Sequence, residues 1–204
     1  MAGTMNSSTQ DLVARVADSI LAVASRVPKS HEHSSSTPEQ KARSIANHAA
    51  AQAAVTAGAL ALPPGPLGWL TVLPEIARVW QIQRQMVADI AKVYGKYGSL
   101  NREQMLYCLF RHAASQAVRD LVVRVGQRYL VKQASLQVIT AVARRIGVRV
   151  TRRAATSAVS RWIPIVGAVG IGAYAYYDTA QVARTAMKLF AYDIESIPEA
   201  DQPR

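Results

Sequence analysis

Apolar side chains recur at steps of three and four residues along most of the chain, the spacing that places them on one face of an α-helix. The first such stretch covers residues 11–27 and ends before Pro28. A polar segment without periodicity follows as far as Thr37, where a hydroxyl, a proline and Gln40 form a helix-start signal. No stretch shows sustained alternation of apolar and polar residues. The pattern therefore predicts helices and no convincing strand.

The later periodic stretches predict further helices with recognisable ends. Tyr94-Gly95 ends one helix, and Asn101 with Gln104 forms the capping signal of the next. The predicted helices are Thr37 to about Ala61, Leu67 or Pro74 to Val93, 102–132, 134–160, and Trp162 to Tyr177 followed by a helix from Asp178 to about Tyr192.

Two segments of the chain are apolar and carry no charge. The stretch between His48 and Glu75 is as long as a membrane span, but three prolines within residues 62–68 break it into a helix, a tight turn and a second helix. The stretch 162–177 is about 24 Å long as a helix, less than the ~30 Å hydrocarbon thickness. The predicted fold is all-α: a single helical domain of about six to eight helices, with two Gly/Pro-broken apolar hairpin segments that either dip into lipid or pack as a core.

The pattern also divides the chain. Residues 1–36 are expected to form an amphipathic helix plus a flexible polar linker, residues 37–195 the helical domain, and residues 196–204 a disordered tail. No basic residue precedes the first apolar stretch, so no signal peptide is expected. The one cysteine, Cys108, lies in an apolar helical stretch and is expected to be a buried thiol.

Charge points to an anionic partner. The chain has 24 Lys and Arg against 13 Asp and Glu, a net charge of +11. Arginines directly precede the second apolar segment, which has Trp and Tyr at its ends, as at an anionic membrane face. Nucleic acid is disfavoured, because the aromatic residues are not interleaved with the basic ones. A solvated basic helix face is the other interpretation of these arginines. The candidate lipid-binding residues are Arg144, Arg145, Arg149, Arg152, Arg153, Arg161 and Trp162.

Small residues and isolated acids mark the apolar segments. The glycines fit close contact between helices, and the candidate packing residues are Gly65, Gly68, Gly167, Gly170 and Gly172. Glu75 and Asp178 each end an uncharged run and are the buried-acid candidates. Each acid would form a polar latch with Arg78 or Arg184, or contact an ion or substrate. The favoured alternative is a carboxylate that interacts with the dipole at a helix start.

No motif indicates catalysis or a cofactor. The segment from Gly167 to Gly172 lacks the preceding strand and the Gly-Lys-Ser/Thr end of a phosphate loop. His31 and His33 lie on a polar linker without further ligands nearby, so no metal site is expected. His112 and Ser115 are close in sequence, but nothing marks either as activated. We expect no enzyme activity, no cofactor and no small-molecule substrate.

Two stretches resemble the EcsC family. The first is Leu62-Pro-Pro-Gly-Pro-Leu-Gly-Trp-Leu-Thr-Val-Leu-Pro74 with the long helix that ends in Ile-Ala-Lys-Val-Tyr-Gly95, and the second is Ile163-Pro-Ile-Val-Gly-Ala-Val-Gly170 with Tyr177-Asp178. The resemblance covers about residues 45–192. Val72 replaces an acid that is frequent before the Leu-Pro step of the family. The resemblance implies a helical bacterial protein, linked by the founding name to an ABC-transporter operon, without enzyme activity.

Together these features predict a non-enzymatic, membrane-associated protein of EcsC type. Its expected place is the bacterial cytoplasm at the inner membrane, where it binds the anionic lipid face or a membrane protein partner. Two alternatives stay open: a helical scaffold protein whose apolar hairpins are its core, and a membrane-perturbing effector.

Overall fold

The computed structural model describes residues 7–60, 68–157 and 164–198. These ranges contain helices α1 (Ser7–Ala24), α2 (Pro38–Leu60), α3 (Gly68–Val93), α4 (Arg102–Val118), α5 (Leu136–Ser157) and α6 (Pro164–Phe190), and strands β1 (Val122–Val125), β2 (Arg128–Lys132) and β3 (Asp193–Ile197), with a 3₁₀ turn at Tyr97–Ser99. The predicted single, predominantly helical domain is confirmed.

The helix starts follow local signals in the sequence. Helix α2 begins at Pro38, as predicted, because a proline at the first helical position gives up an amide that would have no partner there. The side chain of Asn101 caps α4 by accepting a hydrogen bond from the Gln104 backbone amide at 3.0 Å. The Gln104 side chain is buried without a hydrogen-bond partner, so the capping box is only half formed.

The end of α3 is a glycine-dependent turn. Gly95 has φ +72°, a conformation that L-residues rarely adopt. Its amide donates to the Lys92 carbonyl at 2.9 Å, and the next amide, that of Lys96, donates to the Ala91 carbonyl at 2.8 Å. This pair of bonds is the Schellman arrangement. The predicted stop at Tyr94-Gly95 is therefore confirmed.

The protein contains a three-stranded sheet, with β1 and β2 after α4 and β3 after α6, so the expectation of no strand was wrong. Strands β1 and β2 are antiparallel around a two-residue loop in which Gly126 has φ +60°. Strand β3 pairs in parallel with β2. The helix predicted over 102–132 ends at Val118 because β-branched valines fit a pleated strand better than a helix. Ser196 and Ile197 belong to β3, so the predicted tail does not begin at residue 196.

One core unites all six described helices, α2 through Ala42, Ala46 and Ala49. Ile20 of α1, Ile90 of α3, Leu106 of α4, Ile146 of α5 and Phe190 of α6 are each at most 1% exposed within it. Helix α1 is thus part of the same core as the rest of the domain. A Cβ added at buried Gly147 of α5 would lie 3.0 Å from the carbonyl oxygen of Val13, so this glycine permits close contact of α5 with α1.

Hydrogen bonds hold the polar linker between α1 and α2. The Ser35 amide donates to the Val93 carbonyl at 3.1 Å, and the hydroxyl of Tyr97 donates to the Pro28 carbonyl at 3.0 Å. Gln85 of α3 donates its side-chain amide to the Lys29 carbonyl at 3.0 Å. These bonds tie the linker to the end of α3 and to the turn that follows it.

Cys108 lies fully inside the core on α4. Burial raises the pKa of its thiol far above the ordinary value because the thiolate would lose its hydration. The thiol therefore stays protonated and inaccessible in the folded protein.

Candidate functional site

Three helices each place a polar residue where their apolar stripe faces the core. Gln83 lies between Trp80 and Val87 on α3 and is fully buried. His112 is one turn after the buried Cys108 on α4. Asp178 precedes the buried Thr179 on α6. Because α3, α4 and α6 pack on one another, these side chains meet.

Asp178 is the centre of this group. Its Oδ2 accepts a hydrogen bond from Nε2 of Gln83 at 2.8 Å, and its Oδ1 lies 2.6 Å from Nε2 of His112. The Gln83 amide also donates to the hydroxyl of Thr179 at 3.1 Å. The side chains of His112 and Asp178 are 17% and 16% exposed, so the pair is largely shielded from water. We call Gln83, His112, Asp178 and Thr179 the Asp178 cluster.

The cluster leaves two buried polar atoms without a partner. Since the carboxylate accepts, Nε2 of His112 carries the proton in this contact. Its Nδ1 is then enclosed with no hydrogen bond, and so is Oε1 of Gln83. A buried polar atom without a partner raises the free energy of the folded state. The cluster therefore combines strong bonds to a carboxylate with uncompensated desolvation.

The sequence predicts Asp178 at the start of a helix, but the structure places it elsewhere. It lies in the middle of α6, far from the N-terminus at Pro164, so the interaction with a helix-start dipole does not apply. Arg78 and Arg184, the expected latch partners, are exposed. Gln83 and His112 take their place. The sequence contains a signal for both, namely a polar residue on an apolar helical stripe.

Glu75 lies beyond the first turn of α3 rather than at the start of that helix. The surroundings of its side chain lie outside what the structure describes.

The two uncharged segments pack against each other. A Cβ added at Gly172 of α6 would lie 3.0 Å from the Ala54 carbonyl oxygen and 3.9 Å from Cα of Gly58, both on α2. Ala53 and Ala57 of α2 and Ala175 of α6 form a small cluster of their own, separate from the main core. Small side chains thus let the backbones of α2 and α6 approach closely.

The remaining predicted packing glycines are placed as follows. Gly170 is exposed, and a Cβ there would meet nothing within 4 Å, so it lies at no helix contact. Gly68 begins α3 and Gly167 lies within α6, and Gly65 lies outside the described residues. The segment from Gly167 to Gly172 is helical, so it forms no phosphate loop. It also continues without interruption into the amphipathic half of α6.

Around this contact the molecule exposes apolar and aromatic side chains. Val55 on α2 is 73% exposed, and Val169 on α6 is 68% exposed. Tyr174, Tyr176 and Tyr177 also lie on the exposed side of α6. We call the described residues of 49–60 and 169–177 the apolar end. Exposed apolar and aromatic side chains on neighbouring helices mark an interaction site in many proteins.

Helix α5 carries five arginines and no acidic residue. Arg144, Arg145 and Arg149 are exposed, and none of the three forms an ion pair with another residue that the structure describes. Arg152 and Arg153 belong to the same helix, with side chains outside the described set. Arg161 and Trp162 lie in the undescribed segment 158–163, which joins α5 to the start of α6.

A cleft of about 570 Å³ opens where α4 and α5 begin. Its charged groups satisfy each other: Arg102 donates from Nε to buried Glu103 at 3.0 Å and from Nη2 to the Ala134 carbonyl. Glu103 also accepts from the Ala134 amide at 3.2 Å. These bonds tie the start of α4 to the connection between β2 and α5, which indicates a structural role.

Two further properties concern membranes and metals. In the part of the chain that the structure describes, no helix has both the length and the hydrophobicity needed to cross a bilayer. Across residues 7–60, 68–157 and 164–198, no three His, Cys, Asp or Glu side chains lie close enough to hold a metal ion together.

The model of the EcsC protein family matches residues 4–192. This chain belongs to the EcsC family. The match confirms the resemblance seen in the sequence and extends it to α1 and the polar linker, which precede the stretches that suggested it. No curated protein and no solved structure matches the chain significantly.

The EcsC motif segments border both features described above. Tyr94-Gly95 ends α3, the helix that carries Gln83 of the Asp178 cluster. Tyr177-Asp178 joins the apolar end to the cluster within α6. The two stretches that suggested the EcsC family therefore lie in helices that contact each other through Asp178.

Proposed function

We propose that this EcsC-family protein is a non-enzymatic peripheral protein that binds an anionic membrane surface through the apolar end and the arginines of α5. The observation that carries the proposal is the exposed apolar and aromatic face of α6, which follows an arginine helix without acids. Tyr and Trp prefer the membrane–water interface, and arginines near it are attracted to anionic lipid headgroups.

The anionic surface that suits such a protein in a bacterium is the inner face of the inner membrane. Binding at the interface requires no spanning helix, because an amphipathic element can lie in the plane of the headgroups. The enclosed Nδ1 of His112 also supports a role without catalysis, since a general base must reach its substrate.

A protein partner is the second candidate for the same surface. It is favoured by the contact of α2 with α6, which shows that these apolar segments can pack on protein. A membrane protein that presents an apolar groove beside acidic residues would fit.

Flotation with lipid vesicles tests the proposal. We expect the protein to float with vesicles of phosphatidylcholine and phosphatidylglycerol, and to float much less with phosphatidylcholine alone. Absence from the lipid fraction in both cases would remove the membrane proposal and favour a protein partner.

Single neutralisations of Arg144, Arg145 and Arg149 to glutamine should each weaken vesicle binding about fivefold, because one basic residue near an anionic surface contributes ~1 kcal/mol. Flotation over a lipid titration measures the change. The matched control is Arg119→Gln, because the charge of exposed Arg119 is already offset by Asp120 at 3.4 Å. An effect of equal size in the control would mean that net charge, not the α5 face, determines binding.

Val169→Asp should weaken vesicle binding about tenfold, because a charge replaces an apolar side chain that would enter lipid. Val169 is exposed, so the fold should tolerate the change. Val125→Asp on β1, where the valine is 54% exposed, is the control and should bind as the unchanged protein does. Equal binding by both variants would exclude the apolar end as the lipid contact.

A further inference from the structure

We propose that the Asp178 cluster is a latch that holds the N-terminal half of α6 on α2 and opens when the apolar end meets a membrane. The membrane part of this inference rests on the proposed function, whereas the latch itself is a property of the protein in solution.

Asp178 lies at the border between two unlike halves of α6. On its C-terminal side, Val182, Ala186 and Leu189 are fully buried in the main core. On its N-terminal side, Gly172 and Ala175 are the buried residues among those described. The two halves of one continuous helix are thus held very differently.

In the described part of the N-terminal half, the fully or nearly fully buried side chains are small. Ala175 packs with Ala53 and Ala57 of α2, and Val79, Ile82 and Ile171 are only partly buried against this cluster. The hydrophobic contribution grows with the apolar area removed from water, so methyl groups supply far less of it than the leucine and phenylalanine side chains beyond Asp178. Segments with few buried apolar contacts open at lower free energy than the whole domain. The described part of the N-terminal half of α6, residues 169–177, is such a segment.

The Asp178 cluster attaches the middle of α6 to α3 and α4. Gln83 of α3 and His112 of α4 both donate to the Asp178 carboxylate, so two helices other than α2 fix the middle of α6. Hydrogen bonds to a charged group are stronger than neutral ones. The unpartnered Oε1 of Gln83 and Nδ1 of His112 oppose this gain. The closed state is therefore favoured only moderately, and a binding surface that prefers the open state can shift the balance.

The length of the N-terminal half of α6 determines how it can lie in a membrane once it is released. Residues 164–177 form an uncharged helical stretch of roughly 21 Å, shorter than the ~30 Å hydrocarbon layer. A segment of this length lies along the interface and does not cross the bilayer. Its exposed tyrosines suit that depth.

Thiol labelling of an engineered cysteine tests the latch in solution. Ala175→Cys places a thiol in the α2 contact, where the alanine is 5% exposed. With Asp178→Asn or His112→Phe added, maleimide labelling at this position should accelerate roughly tenfold, because a hydrogen bond to the carboxylate is lost. Asp120→Asn, an exposed carboxylate changed in the same way, should leave the rate unaltered.

Ala186→Cys, beyond the latch on α6, and native Cys108 report on the whole fold, because both positions are fully buried in the main core. They should stay protected in the latch variants. Equal acceleration at positions 175 and 186 would show global destabilisation and overturn the latch. An unchanged rate at 175 in both latch variants would overturn it too, and so would labelling of Ala175→Cys with an intact latch as fast as that of Val169→Cys on the surface.

Vesicle flotation separates the latch from the proposed function. If the latch couples to binding, Asp178→Asn should bind phosphatidylglycerol-containing vesicles roughly tenfold more tightly than the unchanged protein, because less free energy is spent on opening. Equal binding by both proteins would overturn the coupling. If neither protein floats, the membrane function fails, and the labelling rates still decide whether the latch exists.

Discussion

An alanine in place of Ile20 is expected to lower the free energy of unfolding by about 2–5 kcal/mol. Ile20 is fully buried in the main core together with Val16 and Val23 of the same helix. Removing three methyl or methylene groups there leaves a cavity that the neighbouring helices can close only in part. Urea unfolding followed by circular dichroism measures the change through a lower midpoint at similar slope.

Arg15→Ala is the matched control for that substitution, because Arg15 lies on the exposed side of α1. It should change the free energy of unfolding by less than about 0.5 kcal/mol. If Ile20→Ala were equally harmless, α1 would be a separate arm that the rest of the domain does not need. A large loss confirms that the core begins within the first helix.

Leucine at Gly172 is expected to lower the free energy of unfolding by about 1–3 kcal/mol, while leucine at Gly170 is not. At Gly172 the first added carbon would already lie 3.0 Å from the Ala54 carbonyl oxygen. That atom belongs to the backbone of α2, so no side-chain rotation can relieve the contact and the helices must separate. Thermal unfolding of the two variants gives the comparison.

Gly170→Leu controls for the loss of a glycine from the same helix. A Cβ at Gly170 meets nothing within 4 Å, and leucine favours the helix over glycine by up to about 1 kcal/mol. This variant should therefore be as stable as the unchanged protein or slightly more stable. Equal losses in both variants would mean that close contact between α2 and α6 does not limit the packing.

The sequence predicts those elements whose ends are set by neighbouring residues. Pro38 starts α2, Asn101 caps α4, and Gly95 ends α3 in the way that their types require. Each of these signals acts over a few residues, so it survives in any fold that contains the helix.

The three strands could not be predicted from the sequence, because their signals are not local. Basic residues about four apart, from Arg124 through Arg128 to Lys132, imitate the polar face of a helix, while the valines between them prefer a strand. The preference is decided by the partner, since β2 gains its second ladder from β3, which lies far along the chain. No local pattern reports that pairing.

The candidate site was only half predictable. Asp178 stands out in the sequence because it ends an uncharged run, and the structure places it at the centre of a polar cluster. Its partners Gln83 and His112 are 95 and 66 residues away. The sequence places each of them on an apolar helical face, but only the packing of α3, α4 and α6 shows that they meet.

Because β3 follows α6 in the chain, the three-stranded sheet can be completed only late in synthesis. The chain is synthesised from its N-terminus, and β2 must wait for Asp193–Ile197 before its second edge is paired. Until then the nascent protein presents a row of open amides and carbonyls beside a finished hairpin, the kind of edge that recruits other strands. The family match ends at Tyr192, one residue before this strand begins. A chain truncated after Tyr192 would contain the region that the EcsC model matches, but the edge of β2 that normally pairs with β3 would stay open.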